Sequence, residues 1–203
     1  MKRIGLITIA LLMVAPACDR KSGSDSSSSP AADEPAWQQV DIESLGASER
    51  QKLDRAKLAQ KDLGETLKGE LTSAVKETSF AGAVDFCHTR APEIAEEVAE
   101  EHGVNLGRTS HRLRNANNTP PAWASDAVER KKAQEYVFRG PDDTVGYLKP
   151  IKLGGLCTNC HGPKDELAPG VAEKLGETYP NDEATGFAVG DLRGWFWVEV
   201  PGA

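Results

Sequence analysis

The residues with the clearest chemical signature are the five from Cys157 to His161, which read Cys-Thr-Asn-Cys-His. A single C-x-x-C-H box with this spacing is typical of covalent attachment of a c-type haem. The thiols of Cys157 and Cys160 can bond the vinyl groups of the porphyrin, and the adjacent His161 can then reach the iron as an axial ligand. The box therefore predicts one covalently bound haem c.

Two other kinds of site also use paired cysteines. A zinc site usually needs a second pair of Cys or His residues at ligand spacing, and no such pair accompanies the box. A thioredoxin-like redox pair is normally followed by a helix whose N-terminus lowers the pKa of the thiol, whereas Cys160 is followed by His161, Gly162 and Pro163. Haem attachment is therefore the preferred interpretation, and a non-haem thiol-redox protein is an alternative.

The second axial ligand decides what such an iron can do, because it sets the reduction potential and whether the iron is open to other molecules. Ordinary electron-transfer cytochromes c use methionine, but the only methionines, Met1 and Met13, lie in a predicted signal peptide. The remaining choices are Cys87, His88, His102, His111 or no protein ligand. Cys87 is preferred among them because it has no disulfide partner and lies on the apolar face of a predicted helix. A buried cysteine that acts as a small apolar side chain is the alternative.

An enzymatic alternative is a haem peroxidase. Such an enzyme needs an open iron and an acid–base histidine, for which His111 and His102 are the available residues. An iron with two protein ligands argues against that chemistry. The preferred interpretation is therefore a protein that is not an enzyme, with weak peroxidase activity left open.

The N-terminus predicts export. Residues 1–17 have a charged start followed by an apolar run, Ile4 to Val14, that is too short to span a bilayer, as in a secretory signal peptide. The next residue is Cys18, so the segment also resembles a bacterial lipobox whose cysteine is acylated, although Ala15 replaces the usual leucine. Asp19 resembles the signal that retains lipoproteins in the inner membrane. We therefore expect a periplasmic protein anchored by lipid at Cys18.

Residues 18–36 are interpreted as the lipidated cysteine and a flexible serine-rich tether, because they contain too few apolar residues to pack. Residues 37–203 are predicted to form one domain with its own core. The net charge of −7 argues against nucleic acid as a partner. The expected partners are a redox protein or a membrane-bound signalling protein.

Helical spacing of apolar residues predicts two long helices at the start of this domain. The first spans residues 48–77 and is opened by a capping-box pattern, Ser48-x-x-Gln51. It is interpreted as an outer helix of its own domain, with a homodimer face as the alternative. The second spans residues 80–102; Pro92 is expected to break or kink it just after Cys87, and Gly103 to end it.

Short strands are predicted after the helices, together with one short helix from Ser125 to about Glu135. In the last strand, Phe196, Val198 and Val200 alternate with other residues, as expected of a sheet with one buried face. Long helices followed by closely spaced strands indicate an α+β domain with an antiparallel sheet. The predicted strands are Val104–Leu106, Tyr136–Arg139, Val145–Leu153, Phe187–Val189 and Trp195–Val200.

Several sequence blocks, in the same order, resemble a family of exported single-haem c-type domains with a PAS-like fold. That family has no settled function and also provides input domains of sensor histidine kinases. One departure is Asn115-Ala116-Asn117, where relatives often have a proline after the asparagine. The matching blocks are Ala83–Cys87, Ala91–Ala95, Arg108–Ser110 with Arg114, Asn115 and Asn118, Cys157–Gly162, and Gly186–Phe187 with Val189–Gly194.

The resemblance implies a PAS-like antiparallel sheet and an iron held by His161 and by the thiolate of Cys87. A thiolate favours ferric iron and lowers the reduction potential, and it can leave when the iron is reduced. The expected function is therefore redox or small-ligand (gas) sensing, or electron transfer at low potential. Independently, Arg108, Arg112 and Arg114 are candidates for pairing with haem propionates, because guanidinium matches carboxylate in a bidentate manner. The alternative for these arginines is exposure to solvent.

Overall fold

Two long helices and a five-stranded antiparallel sheet form the folded part of the chain. The computed structural model describes residues 37–202. The predicted signal peptide, Cys18 and the tether lie outside the described residues. Within residues 37–202, no helix is both long enough and apolar enough to cross a membrane.

The first long helix, α1, spans Ala47–Glu77, close to the predicted range. The predicted cap at Ser48 and Gln51 is wrong. The residue before the helix is Gly46, whose backbone N–H donates to Oε2 of Glu49 at 2.7 Å. Glu49 is also held by the guanidinium of Arg139, so its carboxylate is already directed to the start of the helix.

The second long helix, α2, spans Ala83–His102 and is continuous through Pro92. The predicted break after Cys87 is therefore wrong. Proline removes one N–H from the helix, but packing against α1 and the sheet buries Ala91 and Ile94 on both sides of it and holds the segment helical. Gly103 ends the helix in the left-handed conformation with φ 60°, as predicted.

The five strands form one sheet in the order β1-β3-β4-β5-β2, with every neighbouring pair antiparallel. The predicted α+β class with an antiparallel sheet is confirmed. The edge strand β1 was not predicted. The strands are β1 (Gln38–Val40), β2 (Asn105–Thr109), β3 (Tyr136–Arg139), β4 (Val145–Lys152) and β5 (Leu192–Val200).

Three shorter helices complete the fold: α3 (Ser125–Glu129), α4 (Thr158–His161) and α5 (Val171–Thr178). The helix predicted from Ser125 to about Glu135 is shorter than expected, since Lys131 has a positive φ of 52°. The strand predicted at Phe187–Val189 is wrong, because these residues belong to a loop. Instead of pairing with a strand, the N–H of Phe187 donates to the carbonyl of His161 in the box, and the carbonyl of Ala188 accepts from the N–H of Asp191.

Both faces of the sheet are covered. Val198 and Val200 pack on one face against α1 and α2, together with Leu63 and Ile94. The expectation of a single buried face is wrong, since Trp195 on the opposite face is 0% exposed and packs with residues of α3. The apolar face of α1 is thus used within its own domain, and pairing of two chains through α1 stays a prediction.

Candidate functional site

A cavity of about 490 Å³ opens beyond the main core, between α1, α2, the sheet and the loop that carries the C-x-x-C-H box. This volume is in the range of sites that bind small molecules and cofactors. Its walls are mostly apolar, with Leu67, Val84 and Phe196 among them. The structure brings all four predicted haem-attachment and iron-ligand residues to the cavity: Cys87, Cys157, Cys160 and His161.

The box occupies a tight turn and a very short helix. Cys157 immediately precedes α4, and His161 is its last residue. Gly162 then follows with its N–H bonded to the carbonyl of Thr158 at 2.8 Å. A Cβ at position 162 would lie 2.5 Å from that carbonyl oxygen, so only glycine fits there without movement of the backbone. The residue after the histidine is therefore part of what fixes the box.

The imidazole of His161 is held as a neutral ring with one nitrogen available. Its Nδ1 lies 2.7 Å from the carbonyl oxygen of Ala184. A carbonyl can only accept, so Nδ1 carries the proton and Nε2 keeps its lone pair. Burial, helped by the charges of Arg114 and Arg193, lowers the pKa of His161 well below its usual range, which keeps the ring uncharged. A neutral imidazole with a free nitrogen is the form that binds metals.

One further contact competes for the same atom. Nε of Arg193 lies 3.3 Å from Nδ1 of His161, which would make this nitrogen an acceptor. Nδ1 cannot donate to Ala184 and accept from Arg193 at once. The contact with Ala184 is shorter and has an obligate acceptor, so it determines the tautomer. Arg193 then contributes a nearby positive charge.

Cys87 reaches the cavity from the second turn of α2. Burial raises the pKa of its thiol, and the nearby charges of Arg108, Arg114 and Arg193 act against that increase. An apolar wall with three guanidinium groups nearby suits a thiol that becomes a thiolate when it binds a metal.

None of the three histidines considered as alternatives to Cys87 lines the cavity. His88 is exposed, and its ring contacts the edge of Tyr179. His102 is at the far end of α2, where its Nε2 lies 2.8 Å from Oδ2 of Asp62. His111 packs against Trp195 on the opposite face of the sheet.

The three predicted propionate-binding arginines have different positions. Arg108 lines the cavity from β2 and makes no ion pair with any described carboxylate. Arg114 also lines it, but its guanidinium is paired with Asp182 at 3.1 Å. Arg112 is not part of the lining, because its guanidinium bonds the backbone carbonyls of Glu183 and Thr185. The structure thus brings Arg108 and Arg114 to the site and not Arg112.

Arg193 is a cavity residue that sequence reasoning missed. It lies near the start of β5, lines the cavity and makes no ion pair with a carboxylate in the described part of the chain. Burial, followed by the charges of Arg114 and Arg108, lowers its pKa to about 10. The available signal was its place in the block Val189–Gly194, directly before a strand that was predicted to start at Trp195.

The charges around the cavity indicate what it can hold. Arg108 and Arg193 border an apolar space without a carboxylate partner, and buried charges are normally paired. An occupant with two acidic groups would neutralise both. Haem carries two propionates, and the same walls carry two thiols at attachment spacing, a neutral imidazole and a further cysteine. The residues present therefore fit a covalently attached haem.

Comparisons with known proteins identify the family and the fold. A family model described as Tll0287-like matches residues 36–201. A crystal structure of the cyanobacterial haem protein Tll0287 is similar, with a TM-score of 0.54 and 22% sequence identity over 77% of this chain and 97% of that chain. At this identity, the match establishes a shared fold. No curated protein matches the sequence.

Proposed function

Because the chain belongs to the Tll0287-like family, we propose that it is an exported, single-haem cytochrome whose cavity holds one covalently attached haem c. Family membership confirms the resemblance inferred from the sequence blocks. The observation that carries the proposal is the convergence of Cys157, Cys160, His161 and Cys87 on one apolar cavity bordered by two unpaired arginines. The haem protein with the same fold gives further support.

Each of these residues has a defined role in the proposal. Cys157 and Cys160 would form the thioether bonds, and His161 would offer Nε2 to the iron, because its Nδ1 donates to the carbonyl of Ala184. Cys87 would supply a second ligand. Arg108 and Arg193 neutralise the propionates. Arg114 holds the box, since its guanidinium donates to the carbonyl of Cys160 at 2.6 Å.

A haem bound in this way supplies one-electron transfer and, where a ligand can be displaced, binding of small molecules. We therefore propose redox or small-ligand sensing, or electron transfer at low potential, within a PAS-like domain. The chain's contribution is an apolar pocket that limits water and a thiolate that favours the oxidised state. The hydrogen bond from His161 to the carbonyl of Ala184 would hold the imidazole in place if Cys87 moved.

A peroxidase is less well supported. Such an enzyme needs an acid–base group next to the iron. His111 lies on the opposite face of the sheet and His102 at the end of α2, so neither borders the cavity. We therefore propose a protein that acts by electron transfer or ligand binding and is not an enzyme.

The proposed location follows from the sequence. We propose that residues 1–17 direct export, that Cys18 carries a lipid anchor to the inner membrane, and that the domain works in the periplasm. Its partner would be a redox protein or a membrane-bound signalling protein. Labelling of cells with a radioactive fatty acid tests the anchor: the wild-type chain should be labelled and Cys18→Ala should not.

Expression with a haem c maturation system tests the main proposal. The purified chain should carry one haem that survives denaturation, and the double variant Cys157→Ala/Cys160→Ala should carry none. EPR of the oxidised protein should show a low-spin thiolate-ligated iron in the wild type. This signal should disappear in Cys87→Ala and persist in Thr89→Ala, a matched control at an exposed position of the same helix that does not line the cavity. A wild-type chain without haem would contradict the proposed function, and an unchanged signal in Cys87→Ala would contradict the ligand.

A further inference from the structure

The loop from Asp182 to Phe187 has no regular secondary structure, yet it is bonded along its whole length. The N–H groups of Gly186 and Phe187 donate to the carbonyls of Gly162 and His161 at 2.6 and 2.9 Å. On its other side, the N–H of Glu183 donates to the carbonyl of Leu113 at 2.9 Å. The loop therefore joins the C-x-x-C-H box to the segment that follows β2.

An ion pair lies at the centre of this junction. Nε and one terminal nitrogen of Arg114 each lie 3.1 Å from an oxygen of Asp182, which is bidentate geometry. The side chains of Arg114 and Asp182 are only 10% and 9% exposed. Their remaining hydrogen-bonding capacity is directed at the backbone of the site. Arg114 donates to the carbonyls of Cys160 and Ala184 at 2.6 and 3.2 Å, and Asp182 accepts from the N–H of Ala184 at 2.8 Å.

Both hydrogen-bonding groups of Ala184 are thus held by the pair, and its carbonyl is the acceptor for Nδ1 of His161. Ala184 is itself fully buried, so this peptide has little freedom to rotate. The direction of its carbonyl sets the plane of the imidazole. It also sets how strongly the Nδ1 proton is drawn away from the ring.

We infer that Arg114 and Asp182 are positioning residues for the axial ligand, acting on His161 through the Ala184 peptide. This inference rests on the proposed function and goes beyond it. Arg114 then holds the backbone at Cys160 and Ala184 and does not pair with a propionate. The physical basis is that partners of a metal-bound histidine fix its tautomer and ring orientation, and that their loss typically costs 10–100-fold in metal affinity or activity.

The charge of the pair and its geometry can be separated by two variants. Asp182→Asn removes a negative charge and weakens the bidentate contact. Arg114→Lys keeps the positive charge but loses the planar fork that reaches Asp182, Cys160 and Ala184 together. A third variant, Glu49→Gln, breaks an ion pair with Arg139 far from the cavity and serves as the control for a general loss of stability.

The experiment uses the purified haem-loaded protein and three readouts. These are the hyperfine-shifted NMR signals of the His161 ring, the reduction potential, and the hydrogen-exchange rate of the Ala184 amide. In Asp182→Asn and in Arg114→Lys, we expect the ring signals to move and the Ala184 amide to exchange faster. The potential should rise in both, because a less firmly held Nδ1 proton makes His161 a weaker donor to oxidised iron. Glu49→Gln should change none of the three readouts.

Two results would overturn the inference while leaving the proposed function intact. In one, haem is attached but the ring signals stay unchanged in both variants. In the other, only Asp182→Asn shifts the potential, which would mean that the pair acts by its charge alone. If Asp182→Asn does not fold, Asp182→Glu and Arg114→Lys carry the same test. A wild-type chain without covalent haem would overturn both the proposed function and this inference.

Discussion

The box around His161 and the part of α2 around Cys87 border the same cavity, but they are held in place by different interactions. At His161, the ring donates to the carbonyl of Ala184, and the N–H groups of Phe187 and Gly186 donate to the carbonyls of His161 and Gly162, so both the ring and the backbone are fixed. Cys87 instead borders the cavity from one face of α2, where its neighbours about one turn away, Val84 and Ala91, are buried apolar side chains. Hydrogen bonds are directional, whereas apolar packing is not.

This difference indicates which of the two proposed ligands can change position. His161 cannot turn without breaking its bond to a buried peptide. The sulfur of Cys87 borders the cavity, so a rotation about χ1 would move it within that space. If both residues bind one iron, the proposed switch therefore lies on the α2 side. On the side of the box, His161 stays fixed by its hydrogen bond to Ala184.

The largest expected effect comes from removing each ligand in turn. His161→Ala should abolish the normal absorption spectrum and lower the yield of attached haem by more than the roughly 10–100-fold typical of losing a residue that hydrogen-bonds to a metal ligand. Cys87→Ala should retain the haem and open the iron, so that CO or NO binds without delay. Absorption spectra of both variants, with and without CO, check this. Equal loss of haem in both variants would contradict the proposed difference between a fixed His161 and a movable Cys87.

The box side should also be sensitive to a single methyl group. Gly162→Ala would place Cβ 2.5 Å from the carbonyl oxygen of Thr158, and we expect a loss of about 2 kcal/mol in the free energy of unfolding. Gly176 in α5 has no neighbour within 4 Å of an added Cβ. Gly176→Ala should therefore stabilise the protein by about 0.5–1 kcal/mol. Denaturant titration of both variants measures the difference, and equal effects would show that the box tolerates movement.

A third comparison is between Arg108, whose charge faces the cavity from β2, and an arginine at the surface. Arg108→Gln removes an unpaired positive charge. Its loss favours the oxidised iron and should lower the reduction potential by on the order of 60 mV, a tenfold change in a one-electron equilibrium. Arg130→Gln, at an exposed position, should leave the potential unchanged. Redox titration followed by absorbance measures both, and a rise in Arg108→Gln would contradict the assigned role.

The smallest effect is expected far from both ligands. The guanidinium of Arg139 and the N–H of Gly46 lower the pKa of Glu49, so its charged form stabilises the folded state. Glu49→Gln should cost about 1 kcal/mol at pH 7. Because a lowered folded pKa contributes stability above the unfolded pKa of about 4.3, the difference from wild type should shrink as the pH falls below that value. Urea titrations at pH 7 and pH 3 measure this, and a difference independent of pH would contradict it.

Local patterns predicted most of the secondary structure. The ranges of α1, α2, β3 and β4 follow from apolar spacing and strand-forming residues, which depend on near neighbours. The errors at Pro92 and at Phe187–Val189 have one cause, since tertiary contacts overruled a local signal in both. Pro92 stays helical because α2 is packed on both sides, and Phe187 is held by bonds to the box in place of a strand partner.

The sequence by itself determined the chemistry available to this protein: a C-x-x-C-H box, no methionine outside the predicted signal peptide, and a cysteine on an apolar helix face for which the sequence offers no disulfide partner. Spacing and side-chain type are sufficient for these conclusions because they are local. Only the tertiary structure decided that Arg193 borders the cavity, that Arg112 does not, and that Ala184 holds His161. Those roles depend on contacts between three loops: the segment after β2, the box and the loop at residues 182–187. A hydrogen bond to a backbone carbonyl cannot be predicted from residue type, because every residue has a carbonyl.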